Sequence, residues 1–217
     1  MTLINHTWQF FMQHPHQVWR ATLQQLYLVA IPMGLAIVVA IPLAIVSTRV
    51  RWLYGPIIGF ANGMQTIPSL ALLALMIAIG MGIGTIPAIT ALFLYALMPI
   101  IRNTYVGIMG VDDGVKDAAR GMGVTTWQML WIVELPLALR VIIAGIRSAL
   151  VTTIGFATLA ALIGAGGLGK LIMEGMGMAS NSIVLAGTIP AIILAFLGDA
   201  IMGQLEKLLT PRGLKVS

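Results

Sequence analysis

What most limits the fold of this chain is where its charges are missing. No Asp, Glu, Lys or Arg occurs in residues 21–48, 52–101, 148–169 or 175–198, runs of 28, 50, 22 and 24 residues. A helix needs about 20 apolar residues to cross the hydrocarbon core of a bilayer. The runs of 28, 22 and 24 each fit one crossing. The run of 50 fits two, with GMGIGTIP at residues 80–87 as the turn between them. A membrane barrel would need apolar and polar residues to alternate, and these runs do not alternate. The pattern predicts an all-α, polytopic membrane protein with five transmembrane helices near residues 22–47, 54–79, 85–105, 139–164 and 183–206. One transmembrane domain is expected over residues 21–209, with no linker or repeat to mark a second.

The placement of the cations orients this bundle. Lys and Arg concentrate on the cytoplasmic side of membrane proteins. A five-helix path puts Arg49, Arg51, Arg102, Lys116, Arg120, Arg140, Arg147, Lys207, Arg212 and Lys215 on one side, and only Arg20 and Lys170 on the other. The N-terminus is therefore expected outside and residues 210–217 are expected as a cytoplasmic tail. The net charge of +5 reads as a topology signal, and nucleic-acid binding is not expected. With no cysteine there is no disulfide to consider. Residues 1–20 lack the basic start and small-residue cleavage site of a signal peptide. Trp8, Phe11, Met12 and Trp19 suggest instead an external segment at the membrane–water boundary.

The spans carry prolines at 32, 42, 68, 99 and 190, and the chain has 24 glycines, which permit close helix packing. Ion-coupled transporters place ionisable groups at mid-membrane, and the four runs hold none. A chain that moves solute through such spans draws its energy from elsewhere. Two charges do lie at span margins. Arg147 and Asp199 each fall about 10–12 Å below the cytoplasmic surface at a rise of 1.5 Å per residue. They either pair inside the bundle, or Arg147 snorkels while Asp199 meets water.

Residues 112–136, DDGVKDAARGMGVTTWQMLWIVELP, contrast with everything around them: five charges fall within residues 112–120. Val115, Ala118, Ala119 and Met122 stand at i, i+3, i+4 and i+7, one apolar helix face. Asp112 and Asp113 suit the helix start, where the dipole favours negative charge. Lys116 and Arg120 lie opposite. Gly121 and Gly123 break the helix, and Thr125 and Gln128 have capping-box spacing for a second one. Pro136 leads into the fourth span.

This segment resembles the cytoplasmic pattern of the permease subunits of ATP-binding-cassette importers: Glu-Ala-Ala, three residues, Gly, nine residues, Ile, one residue, Leu-Pro. Here Asp117, Ala118 and Ala119 are followed by Gly123, then by Val133, Glu134, Leu135 and Pro136 at the same spacing, with Asp for Glu and Val for Ile. The resemblance implies a type I importer permease whose coupling helix docks in a cleft of an ATPase subunit. It assigns ATPase coupling to Val115, Lys116, Asp117, Ala118, Ala119, Arg120, Gly121, Gly123, Leu135 and Pro136. MQTIPSLALLAL at residues 64–75 and IGAGGLGKLI at 163–172 look like permeases for glycine betaine, choline, carnitine and related quaternary ammonium osmoprotectants. Methionine-type permeases carry a similar glycine-rich stretch, so an amino-acid importer stays as the alternative. A secondary transporter or channel is the rival from another class.

The resemblance implies partners: two ATPase subunits carrying ATP and Mg, a second permease as homodimer or heterodimer, a solute-binding protein outside, and lipid of a bacterial inner membrane. No enzymatic activity and no cofactor are expected on this chain. GAGGLGK at residues 164–170 mimics a phosphate-binding loop, but Leu171 stands where Ser or Thr would bind magnesium. His6, His14 and His16 lack a nearby Cys or acid to complete a metal site. Asn62, Gln65, Thr66, Ser69, Tyr95 and Asn103 are the candidates for the translocation path. The plainer reading of Thr66 and Ser69 is that they bond carbonyls freed by Pro68. Tyr95, with Phe93 and Phe156 as weaker candidates, could meet a quaternary ammonium by cation–π contact.

Overall fold

The computed structural model describes residues 3–209, except for the side chain of Arg51. The tail of residues 210–217, with Arg212 and Lys215, lies outside the described residues. All regular structure among the described residues is helical. A short helix α1 (Leu3–Gln13) precedes α2 (Pro15–Arg49). The chain then runs through α3 (Arg51–Thr66), α4 (Ser69–Met76) with a wide π turn at Ile77–Met81, and α5 (Thr85–Met109). The charged segment forms α6 (Asp113–Gly121), a single turn α7 (Thr126–Gln128) and a π turn (Met129–Glu134) that runs into α8 (Leu135–Leu159). After a 3₁₀ turn come α9 (Leu168–Gly177) and α10 (Asn181–Leu209).

Among the described residues four helices are long and apolar enough to cross a membrane: Pro15–Arg49, Thr85–Met109, Thr126–Ile163 and Asn181–Leu209. The expected second span differs from the continuous helix read at 54–79. It is broken at Ile67 and Pro68, and the two halves meet at 102°. Proline disfavours the helical region for the residue before it, and Ile67 is extended at φ −72°, ψ 125°. The bent pair counts as the fifth span if it is taken as one.

The core forms where α5 lies between α2 and α8. Ala36, Ala40 and Ala44 of α2 are fully buried and share one cluster with Ala88, Leu92, Ala96 and Ile100 of α5 and Ala149, Ile154 and Ala157 of α8. Residues four apart share a helix face, so these small side chains let backbones approach closely. The closest approach of α8 to α5 is at Gly145, where a Cβ would sit 2.5 Å from the Asn103 Cβ and 2.8 Å from the Pro99 carbonyl oxygen of α5. At the turn before α5, Gly80, Gly82 and Gly84 all have positive φ. The Gly84 N–H donates to the Ile163 carbonyl at 2.7 Å, tying this turn to the 3₁₀ turn that follows α8.

Candidate functional site

The charged segment is built by local chemistry. Asp112 caps α6, accepting from the Val115 N–H at 3.1 Å. Gly123 (φ +81°) turns the chain, a conformation that costs glycine least. Thr125 and Gln128 then form a full capping box, with the Thr125 N–H donating to Gln128 Oε1 at 2.9 Å and the Gln128 N–H to Thr125 Oγ1 at 3.4 Å. Met129 and Leu130 are buried and anchor the segment. Leu130 packs with Ile108, Ala138 and Ile142, and Leu135 lies against the same cluster.

Which face of α6 turns outward differs from the expected pattern. Ala119 is buried (3% exposed) and Lys116 is half-buried, its amine 3.2 Å from Asp113. Val115, Ala118 and Met122 (78% exposed) face away from the chain. Lys116 and Ala119 are three apart and share the inward stripe, so Lys116 does not lie opposite the apolar face as an exposed charge. Arg120 remains outside, bonded to Asp117 at 2.8 Å, and both are well exposed. Trp127, Trp131 and Ile132 add to the exposed apolar surface of this end. Gly121 closes α6, and Pro136 stands in the first turn of α8.

The ionic contacts at this end include the Arg147–Asp199 pairing that the sequence offered as one of two alternatives, and two that were not read from it, Arg49 with Glu134 and Arg140 with Glu206. Glu134, within the Val-x-Leu-Pro stretch, is 4% exposed and pairs with Arg49 at the end of α2. Arg147 grips Asp199 through two bonds of 2.5 Å, Nε to Oδ1 and Nη2 to Oδ2. Arg147 also lies 3.7 Å from Glu206, which accepts from Arg140 Nε at 3.2 Å. The cations are seven apart on α8 and the acids seven apart on α10, two turns in each case. Antiparallel helices bring such pairs into register, and that matched spacing was the available signal.

At the opposite end two adjacent amides hold the glycine-rich loop. Gln25 is fully buried in α2. Its Nε2 donates to the Ile154 carbonyl at 3.1 Å and its Oε1 accepts from the Leu168 N–H at 3.1 Å. Gln24 donates to the Ala165 carbonyl at 3.2 Å and accepts from the Gly167 N–H at 3.0 Å. A Cβ on Gly166 would sit 2.4 Å from the Gln24 amide, and one on Gly169 1.9 Å from the Thr158 carbonyl oxygen. The N–H groups that a phosphate loop would offer at Gly167 and Leu168 are thus already used. Two adjacent amides in an uncharged run were the signal for this clamp. Among the described residues no three of His, Asp or Glu gather as metal ligands.

The six path candidates divide. Asn62, Gln65 and Thr66 are exposed on α3, with Thr66 Oγ1 donating to the Gly63 carbonyl at 2.8 Å. Ser69 starts α4 and is half-buried. Tyr95 is buried. Its hydroxyl donates to the Ile67 carbonyl at the break, and its ring meets Phe156 edge-on at 4.9 Å. The carbonyl at the break is therefore taken by Tyr95. Phe93 is half-buried beside the main core. Asn103 lies two turns further along α5 at the α8 contact, donating to the Pro99 carbonyl at 2.8 Å.

Comparison with known proteins fits this architecture. Residues 19–211 match the family model described as binding-protein-dependent transport system inner membrane component, and the chain belongs to that family. It is 45% identical to the osmoprotectant import permease protein OsmW of Salmonella typhimurium over 198 residues, covering 89% of this chain and 92% of that one. It is 41% identical to the glycine betaine/carnitine/choline transport system permease protein OpuCB of Bacillus subtilis over 212 residues, covering 98% and 97%. The carnitine transport permease protein OpuCB of Listeria monocytogenes is 44% identical, with 95% and 94% covered. The permease chain of an inward-facing MetNI methionine ABC transporter superposes with a TM-score of 0.81 at 24% identity, over 91% of this chain and 99% of that one. The fold is that of a type I importer permease.

Proposed function

We propose that this chain is the membrane-spanning permease subunit of an ATP-driven importer for quaternary ammonium osmoprotectants such as glycine betaine, choline or carnitine. The observation that carries this reading is the 41–45% identity, over nearly the whole chain, to permeases named for those solutes. The likeness to a methionine transporter is one of fold, at 24% identity, and does not favour the amino-acid alternative.

In this reading ATP and Mg belong to two ATPase subunits. One docks on α6 of this chain, with Val115, Ala118 and Met122 entering its cleft and Asp117 and Arg120 setting register across the interface. Lys116, Ala119, Gly121, Gly123, Leu135 and Pro136 hold the knob in place. A second permease, identical or similar, completes the path, and a binding protein delivers solute from outside. The N-terminus with residues 1–20 is external; α6 and residues 210–217 are cytoplasmic, in a bacterial inner membrane. Asn62, Gln65, Thr66 and Ser69 flank the break and line the path. Tyr95 governs the break through Ile67 and opens to solute when that bond parts, and Asn103 lies further along the same route. The Arg147–Asp199 pair locks α8 to α10, so that both move together when α6 is pushed.

Proteoliposomes holding this chain with its ATPase and binding protein test the reading. ATP-dependent accumulation of labelled betaine, choline or carnitine, without accumulation of methionine, is expected. Accumulation of methionine, or uphill uptake without the ATPase, would overturn it.

A further inference from the structure

A cavity of about 400 Å³ opens where the start of α2 meets the start of α9. His16, Gln17, Arg20, Gln24 and Lys170 line it. Arg20 forms no ion pair among the described residues. Lys170 has one loose contact, 3.7 Å from Glu174, and Gln17 Nε2 reaches the same carboxylate at 3.5 Å. Among the described residues the lining thus holds two cations and no acid, and Glu174 meets only Lys170 of the two, so the cavity keeps a net positive charge before His16 is counted.

The depth of the cavity is fixed by its neighbours. Arg20 is the last charge before the 28-residue uncharged run of α2, so it stands at the edge of the hydrocarbon. Beside it α1 presents Ile4, Trp8 and Met12 at i, i+4 and i+8, all well exposed, while Phe10 and Phe11 pack inward near Val18 and Leu171. Trp8 and Trp19 are each 62% exposed. An outward apolar stripe with unburied Trp is what a helix lying in the membrane interface shows, and Trp marks the headgroup level. A basic pocket at that level suits a lipid phosphate.

We propose that this cavity is a binding site for the headgroup of an anionic phospholipid. Arg20 and Lys170 hold the phosphodiester, Gln17 and Gln24 offer amide hydrogens, and the acyl chains run along the exposed stripe of α1. The proposal is independent of which solute the chain carries.

The test uses the full chain with Trp52, Trp127 and Trp131 changed to Phe, which leaves Trp8 and Trp19 as reporters. It is placed in phosphatidylcholine vesicles containing equal fractions of either brominated phosphatidylglycerol or brominated phosphatidylcholine. Quenching should show at least about a 5-fold preference for phosphatidylglycerol at this site. Arg20→Gln with Lys170→Gln should abolish the preference, and Arg20→Lys with Lys170→Arg should keep it. Equal quenching by the two lipids in the parent chain would overturn the proposal. So would a preference that survives the Gln pair while stimulation by the external binding protein is lost, an outcome that gives the cavity to a protein acid.

Discussion

The two ends of this bundle are held by different chemistry. At the α6 end the contacts between elements are ionic: Arg49 with Glu134, Arg147 with Asp199, Arg140 with Glu206. At the other end the glycine loop is clamped by the neutral amides of Gln24 and Gln25. Gln25 is fully buried, so a bond it loses leaves a buried polar group unpaired, while Gln24, exposed at the cavity, adds a second hold on the loop. Arg147 with Asp199 and Arg140 with Glu206 are partly exposed and can exchange partners at smaller cost, whereas Glu134 is 4% exposed and is held by Arg49. In the proposed reading, the contrast suits an end that moves against an ATPase and an end that keeps its shape.

The sharpest break of this contrast comes from filling the outward face of α6. Ala118→Arg should cut ATP-driven uptake by roughly 30-fold or more, the effect of losing an interface hot spot, while leaving insertion and thermal stability unchanged. The matching change at the other end, Gln25→Leu, should do the reverse. It strands the Leu168 N–H, costing about 1–3 kcal/mol, removes a second bond from the Ile154 carbonyl and so lowers the melting temperature in detergent. Equal loss of stability from both variants would erase the difference between the ends.

A smaller effect is expected where the α6 end meets α2. Arg49→Glu or Glu134→Arg alone should reduce uptake several-fold, and the two together should regain most of it, since opposite charges again face each other. Failure of the double variant to recover would remove this pair as a link between the docking segment and α2. Smallest of all, Asp112→Ala should cost about 1 kcal/mol of local helix stability, read as faster hydrogen exchange at residues 113–116 with little change in uptake.

Much of the α6 end was legible because its signals are local. A cap at Asp112, a turn at Gly123 and a capping box at Thr125 and Gln128 each lie within a few residues. Spacing from Asp117 to Pro136 gave the family pattern. Periodicity alone did not say which stripe of α6 faces inward. Ala119 is buried and Lys116 half-buried because α6 rests on its own chain, while Val115, Ala118 and Met122 stay exposed. The break at Ile67 and Pro68 was hidden within an unbroken apolar run, and the Ile67 carbonyl there is held by Tyr95, 28 residues away. Gln24 and Gln25 reach groups 129 to 143 residues distant, so no window of sequence contains the clamp. Arg147 and Asp199 stood out as margin charges, but Arg140 and Glu206 were not added to them, although both pairs share a seven-residue spacing.

The chain has no cysteine, so a single introduced thiol reports without background. The most direct test of the docking claim places one at Ala118 and one at Met176 in separate variants, each co-expressed with the ATPase and treated with a thiol cross-linker and a membrane-impermeant thiol reagent. The account predicts that Ala118→Cys cross-links to the ATPase and is shielded from reagent outside intact cells, whereas Met176→Cys is labelled from outside and does not cross-link. Labelling of Ala118→Cys from outside, or cross-linking of the ATPase to Met176→Cys, would contradict it.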